Sequence, residues 1–211
     1  MPHDDFQTEP VRGLPEALPE GEEILWQGQP NWWALTVEAL SFWWVAGYFA
    51  FLFAWRTVAG LSTETLVEAA ATASFFLVLG GIVCALLAVV GLIQAKSTVY
   101  TLTNKRVAMR IGAALTMTLN LPFRQVQNAE LATRKSGTGN IVLEMKEDGT
   151  RLSYIMTWPH VRPWRMKHTQ PTLRCIPEAA KVAALLSDAA QTAVAEPIIE
   201  IVPAAVPVAA E

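Results

Sequence analysis

The sequence predicts a membrane α plus mostly β protein: a two-helix transmembrane hairpin carrying a cytoplasmic β-sandwich or barrel closed by a C-terminal helix. Three observations predict it. Two long stretches hold no charged residue, the pattern after them switches to period two, and turn dipeptides punctuate that second half of the chain. A chain of 211 residues has room for a membrane hairpin and one compact domain of roughly 100 residues. A mean hydropathy of +0.29 and eight tryptophans fit that division, because the apolar residues are gathered into stretches instead of being spread along the chain.

Residues 1–20 read as a disordered leader rich in Pro and Glu. Residues 21–38 read as a first strand, in which Ile24 and Trp26 alternate with polar neighbours, and an interfacial segment. Trp32 and Trp33 there suit a bilayer boundary, where an indole buries its ring and keeps its N–H wet. Residues 39–95 are the expected transmembrane hairpin. No charge lies between Glu38 and Arg56, giving a first span over 39–55, or between Glu68 and Lys96, giving a second over 69–95. At the helical rise these cover about 26 Å and about 40 Å, against a hydrocarbon core of roughly 30 Å. The polar, acidic residues before the first stretch argue against a signal peptide.

Lys96, Lys105, Arg106 and Arg110 follow the second span, whereas the connecting loop offers only Arg56. The positive-inside rule therefore predicts a multi-pass protein with both termini in the cytoplasm. Ala46, Ala50 and Ala54 recur every four residues in the first span, and Gly80, Cys84 and Ala88 in the second, with Gly81 beside them. Small residues at this spacing let helix backbones approach in lipid, within the hairpin or between two copies.

Residues 96–192 read as the β domain with its helix. Strands are expected at 98–103, 106–110, 115–121, 126–134, 141–145 and 151–157. The punctuation is Asn104-Lys105, Ile111-Gly112, the Ser136–Asn140 run and Asp148-Gly149. A helix is expected from Pro177 to Thr192, with Pro177 in its first turn, followed by a disordered Pro/Ala tail over 193–211.

The net charge of −3 hides an asymmetry. Residues 1–38 hold eight acids against Arg12, whereas residues 96–211 hold fourteen bases against nine acids. The basic half could meet anionic headgroups or an acidic partner. Cys84 lies in a predicted span and Cys175 in the β region, so no disulfide is expected.

The segment Thr98-Val-Tyr-Thr-Leu-Thr-Asn-Lys-Arg-Val-Ala-Met-Arg-Ile-Gly112 resembles the opening hairpin of bacterial membrane-attached PH-like domains. In those proteins a Gly-Glu-Glu-Ile-Leu-Trp strand and a proline also precede a helix pair, as Gly21–Trp26 and Pro30 do here. Thr157-Trp-Pro-His-Val-Arg-Pro-Trp-Arg165 with Gln170–Pro177 is similar to the photosynthetic-complex assembly proteins of purple bacteria. The resemblance spans about residues 14–192. It implies a PH-like fold and a non-enzymatic assembly factor in the bacterial cytoplasmic (inner or intracytoplasmic) membrane. It further implies reaction-centre or light-harvesting subunits as partners, contact with the lipid bilayer, self-association as a homodimer, and no catalytic residues.

The richest candidate site is a basic, aromatic, proline-stiffened run: Trp158, His160, Arg162, Trp164, Arg165, Lys167 and Arg174. Arginine makes bidentate contacts to carboxylate or phosphate and tryptophan adds contact area, so the run could dock a client subunit or the headgroup layer. It could equally be a crossover packed over the sheets with its charges in water. Nucleic acid is a poor partner for an acidic, membrane-anchored chain. His3, His160 and His168 lie outside both spans, which argues against pigment ligation within them. Ser153, His160 and Asp148 form a triad only on paper. No cofactor or metal site is expected, since neither zinc-ligand spacing nor a phosphate loop is present; Gly137 and Gly139 lie between strands.

Overall fold

The computed structural model describes residues 11–113, 116–134, 137–146 and 152–195. The disorder expected at residues 1–10 and 196–211, and the turn at Asp148-Gly149, lie outside them.

Strand β1 (Ile24–Gly28) is followed by three helices: α1 (Trp32–Ala39), α2 (Phe42–Gly60) and α3 (Leu66–Ser97). Asn31 caps α1 by accepting from the amide of Ala34 at 2.9 Å. Trp32 and Trp33, expected as an interfacial segment, begin this helix. A bend of 57° at Leu40-Ser41 separates α1 from α2, with Ser41 in the left-handed region at φ 55°. Edge-on contacts run across the bend from Trp33 to Phe42 and on to Trp43. Helix α1 turns aside because its Leu35 is buried with Ala95 at the end of α3 and with Cys175. A capping box between Thr65 and Glu68 starts α3, and Arg56 pairs with Glu64 across the tight connection.

By length and composition α3 can cross a membrane, and the bent pair of α1 and α2 is a second candidate only when taken as one span. Helices α2 and α3 pack on one another, but not through the alanine ladder. Phe49 faces α3, and a Cβ added to Gly80 would lie 2.6 Å from the Cβ of Phe49. Ala46 is half-buried, as are Cys84 and Ala88, while Ala50, Ala54 and Gly81 point outward. Bulk on α2 meets small residues on α3, so two small-residue ladders need not face each other.

Strands β2 (Val99–Thr103), β3 (Arg106–Ile111) and β4 (Met117–Pro122) extend β1 into an antiparallel sheet of order β1-β2-β3-β4. Because β1 pairs with β2, the three helices are an insertion between adjacent strands. In the turn from β2 to β3, the amides of Lys105 and Arg106 donate to the Thr103 hydroxyl, and Glu22 accepts from Thr103 and from Arg106 at 2.8 Å each. The segment expected as a disordered leader includes residues that the structure places against the sheet. Gly13, at φ 83°, and buried Leu14 cover Val99 on the outer face of β2.

A second antiparallel sheet, β5-β6-β7, is built from Val126–Thr133, Thr138–Met145 and Thr172–Pro177. Among the described residues no ladder joins β4 to β5, so the barrel alternative gives way to two sheets around one core. Tyr100, Leu102 and Met109 meet Ile141, Leu143 and Leu173 there. The strand expected over 151–157 is instead a helical turn, α4 (Tyr154–Thr157), in which the Thr157 hydroxyl donates to the carbonyl of Ser153 at 2.7 Å. Its place in the sheet is taken by β7, from the end of the proline-stiffened basic run, where the sequence predicts no strand. Helix α5 (Ala179–Ala195) starts two residues after Pro177, which ends β7. It buries Ala179, Val182, Leu186 and Ala189, one face at helical spacing.

Gly80→Leu should push α2 and α3 apart and destabilise the protein by about 1–3 kcal/mol. Gly81→Leu, with nothing within 4 Å of the added atom, should change stability little. Thermal unfolding in detergent compares the two.

Candidate functional site at the junction of helices and sheets

In a regular strand consecutive side chains alternate between faces. Strand β7 breaks that rule where it meets β6. Gly139 stands opposite Ile176 and Ile141 opposite Leu173, so Asn140 alone faces both Arg174 and Cys175. Cys175 occupies the left-handed region at φ 51°, and its amide donates to Asn140 Oδ1 at 2.7 Å. This β-bulge keeps Leu173 and Ile176 in the core while Arg174 and Cys175 both reach Glu38, near the end of α1.

Both carboxylate oxygens of Glu38 are doubly engaged. Oε1 accepts from Arg174 at 2.8 Å and from the Asn140 amide at 2.6 Å. Oε2 accepts from the Arg134 guanidinium and from the Cys175 thiol at 3.3 Å. Arg174 also donates to the carbonyl of Pro159 at 3.1 Å, fixing the backbone beside His160.

His160 is wedged against the first residues beyond α3. Its Nε2 lies 3.1 Å from the Thr98 hydroxyl and its Nδ1 2.5 Å from the Tyr100 hydroxyl. The single proton of the Thr98 hydroxyl goes to the carbonyl of Gln94 at 2.7 Å. Thr98 must therefore accept from His160, which assigns the proton to Nε2 and leaves Nδ1 to accept from Tyr100. The Tyr100 oxygen in turn accepts from the Arg174 amide at 3.3 Å.

Burial alone would raise the Glu38 carboxyl, but the charge of Arg174 and the hydrogen bonds from Arg174, Asn140 and Cys175 outweigh it and hold it below the usual carboxylate range. Burial, then the nearby Arg174 charge, depress His160 from about 6.5 to about 3. Burial raises the Tyr100 phenol above its ordinary value. Burial and the Glu38 charge push the Cys175 thiol up to about 12, so it stays protonated and is a poor nucleophile. Every polar group here is occupied by another, and the chemistry of the arrangement is that of a strut joining α1, α3, β6 and β7.

Of the residues in the basic aromatic run, His160 is 1% exposed and Arg174 4%. Neither can touch a partner, which corrects the expectation for both. Arg162 is half-buried and donates to Glu130 at 2.9 Å. Trp158, Trp164, Arg165 and Lys167 are exposed. The triad does not assemble: His160 is committed to Thr98 and Tyr100, and Asp148 lies outside the described residues. Among the described residues no group of three His, Cys, Asp or Glu could hold a metal ion. An apolar groove of about 600 Å³ between β5 and α5, lined by Val126, Leu131, Leu143, Leu186 and Ala190, has no titratable group in its wall.

Sequence reasoning missed Glu38, Asn140, Tyr100, Thr98 and Arg134. Glu38 is the last charge before an apolar run, which marks it as unusual, but its partner Arg174 is 136 positions away.

Arg174→Ala leaves the half-buried carboxylate of Glu38 short of its main partner and should cost about 3 kcal/mol. Arg165→Ala should stay within about 0.5 kcal/mol. Denaturant midpoints compare the two. Because His160 is neutral in the fold to about pH 3, the unfolded chain binds more protons between about 6.5 and 3, and stability falls as pH is lowered through that window. His160→Asn should flatten the fall between about pH 6.5 and 4.5, measured as midpoint against pH; an unchanged slope would show that His160 is not its source.

The bacterial PH domain family model matches residues 42–190, from the start of α2 into α5. A Rhodobacter capsulatus protein, described as an uncharacterized 23.7 kDa protein in the puhA 5' region, is 43% identical over 207 residues, covering 97% of this chain and 96% of that one. No solved structure matches. With a family match across α2, α3, strands β2 to β7 and most of the closing helix, the chain belongs to the bacterial PH domain family.

Proposed function

We propose that this protein is a membrane-anchored, non-enzymatic assembly factor for the photosynthetic reaction centre and its surrounding light-harvesting antenna. This is the role implied by its resemblance to PuhB, the photosynthetic-complex assembly protein of purple bacteria. The observation that carries the reading is the way an apolar helix pair is built into a binding-type domain. Helices α2 and α3 interrupt the sheet between β1 and β2 and are fastened to it by the Glu38–Arg174–His160 network. Large apolar side chains project outward from them, among them Val67, Phe75 and Val78, which water would disfavour and lipid would not. In this reading both helices span the bacterial cytoplasmic membrane, the termini and both sheets lie on the cytoplasmic side with Lys96, and the protein self-associates. The position of the R. capsulatus relative beside puhA supports the photosynthetic context.

A client is a membrane subunit, so its contact belongs on the helices. Trp44, Tyr48, Phe51 and Trp55 follow i, i+4, i+7, i+11 spacing and form an exposed aromatic stripe along α2. Tyr48 sits within the span, away from the boundaries where tryptophan and tyrosine ordinarily gather, and a client helix is the occupant that accounts for it. A second reading is a PH-like module that recognises anionic lipid, which the exposed Arg165 and Lys167 favour.

Affinity purification from phototrophically grown cells should enrich reaction-centre or antenna subunits. Replacing Trp44, Tyr48, Phe51 and Trp55 with Leu should cut that enrichment several-fold while leaving the protein in the membrane. Absence of those subunits, with normal complex levels in a deletion strain, would sink the assembly reading.

A further inference from the structure

We infer that residues 155–167 form an interfacial rim that rests in the headgroup layer of an anionic bilayer, with Ile155, Met156, Trp158, Trp164 and Met166 inserted and Arg165 and Lys167 on the phosphates. The inference rests on the reading that α2 and α3 span the membrane.

Exposure is the first observation. Ile155 is 85% exposed, Met156 67%, Trp164 88% and Met166 64%, with Trp158 also exposed. Elsewhere among the described residues of the two sheets and α5, the exposed large apolar side chains are Ile24, Leu25 and Leu131, each less than half exposed. Five exposed large apolar side chains thus fall within one short excursion, against three over the described residues of the sheets and α5.

Charge is the second. From Gly149 to Pro177 the sequence has no Asp or Glu, while Arg151, Arg162, Arg165, Lys167 and Arg174 all fall there. Arg174 is spent on Glu38 and Arg162 is held by Glu130. Arg165 and Lys167 face solvent beside Trp164 and Met166. Bulky apolar groups alternating with free cations match the boundary between acyl chains and anionic headgroups.

Position and shape are the third. The base of the excursion is pinned where the helices meet the sheets: His160 on Thr98 and Tyr100 just past α3, and the Pro159 carbonyl on Arg174, which holds Glu38 just before α2. The rim therefore starts at the level where the membrane helices begin and end. The Arg162 amide donates to the Gln170 carbonyl at 3.0 Å and the Thr172 amide to the His160 carbonyl at 2.9 Å, closing residues 163–169 into a projecting loop. At its tip Trp164 adopts φ 65°, a backbone state unfavourable for a bulky residue. A strained turn that displays an indole to solvent makes physical sense when the indole has a surface to enter.

Spin-labelled full-length protein in lipid-only nanodiscs tests the inference. In a Cys84→Ala background, single labels are placed by Ile155→Cys and Met166→Cys on the rim, Val78→Cys in α3 and Lys181→Cys on the exposed side of α5. Collision with oxygen and with a water-soluble nickel chelate then reports depth. In discs containing phosphatidylglycerol, the rim labels should be protected from nickel several-fold relative to the label at 181. Protection should shrink in phosphatidylcholine alone, or when Arg165→Gln and Lys167→Gln are combined. Rim labels as open to nickel as the one at 181, with the label at 78 still in hydrocarbon, overturn the rim and leave the membrane reading standing. A nickel-accessible label at 78 overturns both. Protection confined to native membranes and absent from lipid-only discs would assign the surface to a protein partner and overturn the lipid proposal.

Discussion

The carboxylate of Glu38 is the point on which the architecture turns. It lies in the last turn of the short helix that leads into α2, and its donors come from β7, β6 and the loop after β5. A half-buried carboxylate is costly unless its lone pairs are filled, and here each oxygen has two donors. The same guanidinium that neutralises it holds the Pro159 carbonyl, so one ion pair fixes the helical insertion, the second sheet and the approach to His160 together. Neutral His160 then fills the gap under the end of α3, where an imidazolium could not accept from Tyr100. The helices are thus a rigid extension of the domain rather than a tether.

Topology explains why such a fastening is needed. Strands β1 and β2 are hydrogen-bonded neighbours with α1, α2 and α3 inserted between them. An antiparallel helix pair returns the chain close to where it left, so the sheet can close around the insertion. The close approach of Gly80 to Phe49 holds the pair, and Leu35 seats α1 against Ala95 and Cys175. The turn between β2 and β3 does similar structural work. Thr103 and Arg106, from the Thr-Asn-Lys-Arg turn, hold Glu22 and with it the segment before β1.

The basic aromatic run divides in two at the level of single side chains. His160 and Arg174 face inward and join the strut, whereas Trp164, Arg165 and Lys167 face outward. Residues that hold the fold together and residues open to solvent are therefore neighbours in one segment, and a multiple substitution across it would mix the two.

The sequence by itself determined the elements whose signal is local. Charge-free length marked α2 and α3, alternation marked β1 to β6, and helical spacing marked α5, because each pattern reports the environment of a continuous piece of chain. The helix before Ser41, the seventh strand and the buried half of the basic run were decided by tertiary structure. Prolines at 159, 163 and 171 made the run read as a stiffened extended segment outside the sheets, yet its last residues pair with β6, and a bulge there turns Arg174 toward Glu38. Nothing within a short window distinguishes an arginine bound for solvent from one bound for a carboxylate far away in the chain. That choice rests on strand pairing and register, which only the assembled sheets supply.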